Sequence, residues 1–248
     1  MAPSMHTNYP VPHVNQAPVD AQPRKLRAFL HLASAGVMIS GFQALQDVAA
    51  GKVMAPQYGG FLQYLTIIGL LVTVIFMIMS ASQDMLPSVN VFQPIRRILL
   101  LFALPIEVVI STIYWGIVLT KPDLMFPPMP ASAKGGAEPS SSGDASLLFR
   151  IPLWMDISMH LLPAVALVIH FFTLEKRYNP PASTLGAPLL AASFGAFYAF
   201  WVEHCAKING RFPYPFLNLM GGEERAVFYI FSVMLALGAF FILNFIHR

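Results

Sequence analysis

The stretch IPLWMDISMHLLPAVALVIHFF, residues 151–172, decides how the chain is read. It is overwhelmingly apolar, with Arg150 before it and Glu175-Lys176-Arg177 after it. A helix of this length, rising about 1.5 Å per residue, covers a bilayer core of roughly 30 Å. Asp156 and His160 interrupt the apolar run, and a spacing of four places both on one helical face. An ionisable group at membrane depth costs on the order of 2–3 kcal/mol or more. Both residues therefore need something to face.

The rest of the chain agrees with a membrane reading. Of its 248 residues 56% are hydrophobic and only 11% charged, with a mean hydropathy of +0.62; a soluble domain carries about a quarter charged residues. One cysteine, Cys205, excludes an intramolecular disulfide and a multi-cysteine metal cluster. A net charge of +3 is too small and too scattered for nucleic acid, since the basic residues flank apolar segments as interfacial anchors do.

Six apolar segments, near 27–47, 61–80, 97–120, 151–172, 185–205 and 226–246, are each long enough to span. Irregular backbone cannot face lipid, so the sequence predicts an all-α membrane protein, a bundle of six transmembrane helices in one domain over residues 26–248. Residues 1–25 are rich in Pro and polar residues and read as a disordered tail, not a signal peptide. Residues 121–150, rich in Pro, Gly and Ser, read as a mobile loop. Flanking Lys and Arg divide almost evenly between the two sides, with both termini expected in the cytoplasm. The lack of a cleavable signal and of an Asn-x-Ser/Thr acceptor favours an internal membrane such as the endoplasmic reticulum.

Alternating helix directions bring Thr66, Asp156, His160 and Glu203-His204 to one half of the bilayer, with Glu107 near mid-depth. Gln63, Thr66 and Thr73 share a stripe of the second segment, and Glu107, Ser111 and Tyr114 share a stripe of the third. Each has a plain structural reading. A membrane-buried Thr commonly bonds its own helix backbone. Asp156 is either the partner that fixes the His160 tautomer or an interfacial, hydrated group. His31 and His170 suit interfacial anchoring. Glu203-His204 beside Lys207 is a charge cluster or a third element of a site, and Glu107 is a protonated or hydrogen-bonded structural group. Pro105 and Pro163 are expected to kink their helices.

Three motifs carry a resemblance. Tyr58-Gly-Gly-Phe-Leu-Gln-Tyr-Leu-Thr66, Pro152-Leu-Trp154-Met-Asp156-Ile-Ser-Met-His160, and Trp201-Val-Glu-His204 followed by Tyr214-Pro215-Phe216-Leu217 together resemble the androgen-induced gene one and androgen-dependent TFPI-regulating protein family. Order and spacing agree over about residues 27–246; the tail and the 121–150 loop are departures. Members of that family are multi-pass threonine hydrolases of fatty acid esters of hydroxy fatty acids. The resemblance implies that Thr66 is the nucleophile and His160 the base, with a lipid ester as substrate, membrane lipids as surroundings, and no metal, organic cofactor or obligate protein partner.

That chemistry suits the residues. A threonine hydroxyl needs an adjacent base to take its proton, and imidazole is matched to the task. An orienting group should hold the other ring nitrogen: Asp156, or else His204 or Glu203. Tyr214, Gln63 or a backbone N–H could stabilise an oxyanion. Two other classes compete. Haem could be ligated by pairs among His31, His160, His170 and His204. A transporter or scaffold could use Glu107 and Asp156 as a relay, although no inverted repeat supports it.

Overall fold

The computed structural model describes residues 24–88, 92–126 and 151–247. Among them six helices are long and apolar enough to cross a membrane, and no strand is present. The protein is an all-α, multi-pass membrane protein. Most of the expected tail and loop lies outside the described residues, although Arg24 and Lys25 already belong to the first helix.

Helix α1 is Arg24–Asp47, and the short α2, Ala49–Met54, follows it. Helices α3 (Leu65–Met85) and α4 (Gln93–Thr120) form the centre. The fourth span is two pieces, α5 (Leu153–His160) and α6 (Leu162–Leu174). They join at Leu161, whose φ of −120° leaves the helical range. Pro163 has no N–H for the Met159 carbonyl, so the expected kink is a break directly after His160. Helices α7 (Ala187–Asn209) and α8 (Gly222–Ile246) complete the chain.

Two packed clusters hold α1, α3, α4, α5 and α6 together. One contains Phe76, Leu100, Leu104, Leu167, Phe171 and Phe240; the other contains Met38, Leu45, Ile67, Leu70, Met155 and Met159. Helices α7 and α8 pack on each other and on α4, and are far less buried than the other four spans. They form an outer pair with a slot behind it.

Polar side chains gather at the two ends of the bundle. At the end carrying the start of α1, Arg27 Nε donates to Asp84 Oδ1 at 3.0 Å, and His31 Nδ1 meets Asp84 Oδ2 at 3.0 Å. His31 Nε2 lies 2.8 Å from His170 Nδ1, and His170 Nε2 lies 3.1 Å from Arg96 Nη1. A guanidinium only donates, which fixes the direction of the whole run: Arg96 to His170, His170 to His31, His31 to Asp84, with both rings neutral. Glu175 receives Arg97 at 2.9 Å and also pairs with Arg96. Burial works against the Glu175 charge, but its partners, the guanidinium groups of Arg96 and Arg97 among them, outweigh it and hold the carboxyl below its ordinary range. Asn244 closes this end by bonding both the N–H (2.7 Å) and the carbonyl (2.9 Å) of Tyr178.

Removing one partner of a buried pair strands the other and costs about 3–5 kcal/mol. Glu175→Ala should therefore lower the unfolding temperature in detergent clearly, because Arg96 and Arg97 lose their carboxylate. The Glu175 contribution should be present above the ordinary carboxylate range near pH ~4.3 and be lost as pH falls through the lower folded value. An unchanged melting profile would contradict this account of the network.

Candidate functional site

The opposite end is built on a turn. Gly59 and Gly60 have φ of +82° and +49°, a region that side chains with a Cβ rarely occupy. A Cβ on Gly59 would also sit 2.8 Å from Cys205 Sγ. The turn is bolted to α7. Asn209 Oδ1 accepts the Tyr58 N–H at 2.8 Å while its amide donates to the Tyr58 carbonyl at 3.0 Å. Trp201 Nε1 donates to the Leu62 carbonyl at 3.0 Å. The chain then runs through a 3-10 turn, Gly60–Gln63, into the start of α3.

Thr66 is the second residue of α3, after Tyr64 as N-cap and Leu65. The first N–H groups of a helix lack helical partners and carry partial positive charge. Here two tyrosines serve them. The Leu65 N–H donates to the Tyr214 hydroxyl at 2.8 Å and to the Tyr198 hydroxyl at 3.0 Å. Tyr198 spends its own proton on the Gln63 carbonyl at 3.0 Å, closer than Tyr214 at 3.5 Å. Tyr214 also interacts with the backbone and hydroxyl of Thr66. Burial raises the Tyr214 pKa, so it stays protonated at neutral pH.

His160 occupies the last turn of α5. Its ring stacks on Tyr114 of α4, centroids 3.5 Å apart and planes within 1°. Asp156 receives the Tyr114 hydroxyl and lies 3.5 Å from His160 Nδ1, which finds no hydrogen bond among the described residues. Tyr114 thus holds the carboxylate with its hydroxyl and the imidazole with its face. Thr66 and His160 are each 8% exposed. Their chain neighbours Ile67 and Met159 belong to one packed cluster.

Thr66, Tyr114, Tyr198 and Tyr214 share a slot between α3, α4, α7 and α8. Beyond these hydroxyls and those of Tyr229 and Ser232 its wall is apolar, from Ile110 and Phe194 down to Leu101, Ala187 and Phe240. Along α4 the lining extends from Tyr114 to Leu101, about 20 Å at helical rise. The slot thus has a polar head on an apolar shaft of that length.

The other expected residues lie around this core or apart from it. The Gln63 side chain donates to Gln57 and the Gly60 carbonyl, bracing the turn. Glu107 accepts the Thr73 hydroxyl at 2.9 Å against Gly69, where a Cβ would approach Glu107 Oε1 to 2.9 Å, and it does not line the slot. Glu203 is paired with Arg225 (2.7 Å) and Tyr229 (3.1 Å), and His204 stacks near Phe200; among the described residues neither shares a bond or ring contact with His160. His31 and His170 bond each other at 2.8 Å, which leaves no room for iron between those nitrogens. Tyr114, Tyr198 and Asn209 join the site without being singled out by the sequence. Only Tyr114 leaves a signal there, as the last member of its polar stripe.

Because Tyr198 and Tyr214 share one donor, the Leu65 N–H keeps a partner when either is lost. Tyr198→Phe with Tyr214→Phe should destabilise by about 1–3 kcal/mol beyond the sum of the single changes, read as thermal unfolding of the detergent-solubilised chain. Strict additivity would mean that the Leu65 N–H does not depend on them.

Known proteins share this chain's pattern over nearly its whole length. A family model described as FAR-17a/AIG1-like protein matches residues 26–248. The chain is also similar to the UPF0641 membrane protein PJ4664.05 of Schizosaccharomyces pombe, 27% identical over 226 residues that cover 88% of each chain. No solved structure matches it. The chain belongs to the FAR-17a/AIG1-like family.

Proposed function

We propose that this protein is a membrane-embedded lipid ester hydrolase in which Thr66 is the nucleophile and His160 the general base, and that its substrates are fatty acid esters of hydroxy fatty acids. The observation that carries this reading is Thr66 itself: a buried hydroxyl at a helix start, opening into a slot with a hydroxyl head and an apolar shaft.

The acyl chain lies along the shaft beside α4, with the ester carbonyl at Thr66. The Thr66 oxygen attacks that carbon as its proton passes to His160, assisted by Asp156 and by Tyr114 beneath the ring. Negative charge grows on the carbonyl oxygen. The Tyr214 hydroxyl and the positive start of α3 stabilise it. The carbon–oxygen ester bond breaks, the hydroxy acid leaves with the proton from His160, and an acyl-Thr66 remains. Water activated by His160 then releases the fatty acid and restores the hydroxyl. Keeping both chains in hydrocarbon while the ester reaches a polar pocket is the reason for placing such a site within a membrane.

Thr66→Ala should reduce kcat/KM on a long-chain fatty acid ester of a hydroxy fatty acid to background, while Thr66→Ser retains turnover. His160→Gln should cost about 100–10,000-fold. Tyr214→Phe should cost about 100-fold, chiefly in kcat. Wild-type hydrolysis by Thr66→Ala would overturn the assignment.

A further inference from the structure

Beyond the slot, the described residues form a second concavity of about 650 Å³ at the same end of the molecule. The two share a wall. The chain after α7 gives Tyr214 to the slot but Arg211, Phe212 and Asn218 to the concavity. Tyr229 lines the slot and donates to Glu203 in the concavity at 3.1 Å. The two spaces are adjoining rooms.

Their chemistry differs. The concavity holds Lys207, Arg211 and Arg225 against a single carboxylate, Glu203. Arg225 engages that carboxylate through two nitrogens, at 2.7 and 3.2 Å, and is fixed further by the Met220 carbonyl and the Phe212 ring. Glu203 is thereby neutralised. Lys207 and Arg211 form no ion pair among the described residues. Carbonyls at the end of α7 attract a cation, which explains Lys207 in its last turn. They do not explain Arg211. Gly210, with φ of +69°, reverses the chain and returns Arg211 to the same concavity. Arg211 is also close enough for its charge to act on Tyr64, two residues before Thr66.

We propose that Lys207 and Arg211 form a carboxylate-binding subsite that holds the free acid group of the substrate while its ester lies at Thr66. This rests on the ester-hydrolase reading above. A charged hydrogen bond contributes about 1.5–3 kcal/mol, enough for tenfold to about hundredfold discrimination. The subsite selects esters that carry an acid over neutral esters of the same length.

The test uses the full chain in detergent with two substrates, a long-chain ester bearing a free carboxylate and its methyl ester. The wild type should favour the acid at least about tenfold in kcat/KM, through KM. Lys207→Met combined with Arg211→Met should bring that ratio close to one, and Arg211→Lys beside intact Lys207 should restore most of it. No wild-type preference, or equal losses on both substrates, would overturn the subsite. A second arm needs no turnover: binding of a fluorescent long-chain fatty acid and of its methyl ester to Thr66→Ala, with and without the two Met substitutions. Acid-selective binding lost in the Met variant, with a wild-type chain that hydrolyses neither ester, would sustain the subsite and sink the hydrolase reading. Hydrolysis of both esters without discrimination would sink the subsite alone.

Discussion

Hydrocarbon offers a polar group no hydrogen-bond partner, and the arrangement of this protein follows from that constraint. Polar side chains on the membrane helices are found in company. At one end the run from Arg96 through His170 and His31 to Asp84 ties α1, α3, α4 and α6 together. At the other, tyrosine hydroxyls meet the open start of α3 and the carboxylate of Asp156. Between them Thr73 donates to Glu107 Oε1. With the inner helices locked at both ends, α7 and α8 can stand off and leave an apolar slot.

The Thr66 end depends on where the backbone is delivered. Two glycines make the turn possible, Asn209 and Trp201 fix it to α7, and the turn sets where α3 begins. A start buried in a bilayer would carry unsatisfied N–H groups. Instead, Tyr198 and Tyr214 accept the Leu65 N–H. The same features that satisfy the backbone therefore favour negative charge developing near the Thr66 hydroxyl. Stability and proposed chemistry draw on one set of bonds.

Much of this is legible in the amino-acid sequence. Segment length and apolarity predict the six helices, because span length is set by bilayer thickness. The i, i+4 spacing of Asp156 and His160 survives as a 3.5 Å approach, since it depends only on local helix geometry. Long-range partners leave no such trace. Tyr198 is one aromatic in an apolar helix, and nothing in its neighbourhood reveals a bond to a carbonyl 135 positions away. His31 and His170 read as separate interfacial anchors because their partnership spans 139 positions. Glu203 and His204 lie at the end of the bundle that holds Thr66, but position along a helix does not give azimuth, and α7 turns them into the second concavity. Pro163 foreshadows the break after His160, although not its position at Leu161.

The most direct measurement is covalent capture. The full chain in detergent would be treated with a fluorophosphonate probe, and the modified peptide mapped by mass. The account predicts a single adduct on the Thr66 hydroxyl, absent in Thr66→Ala and strongly reduced in His160→Gln, with all three proteins folded. An adduct on another residue, or none on a folded wild-type chain, would contradict the claim that Thr66 is an activated nucleophile.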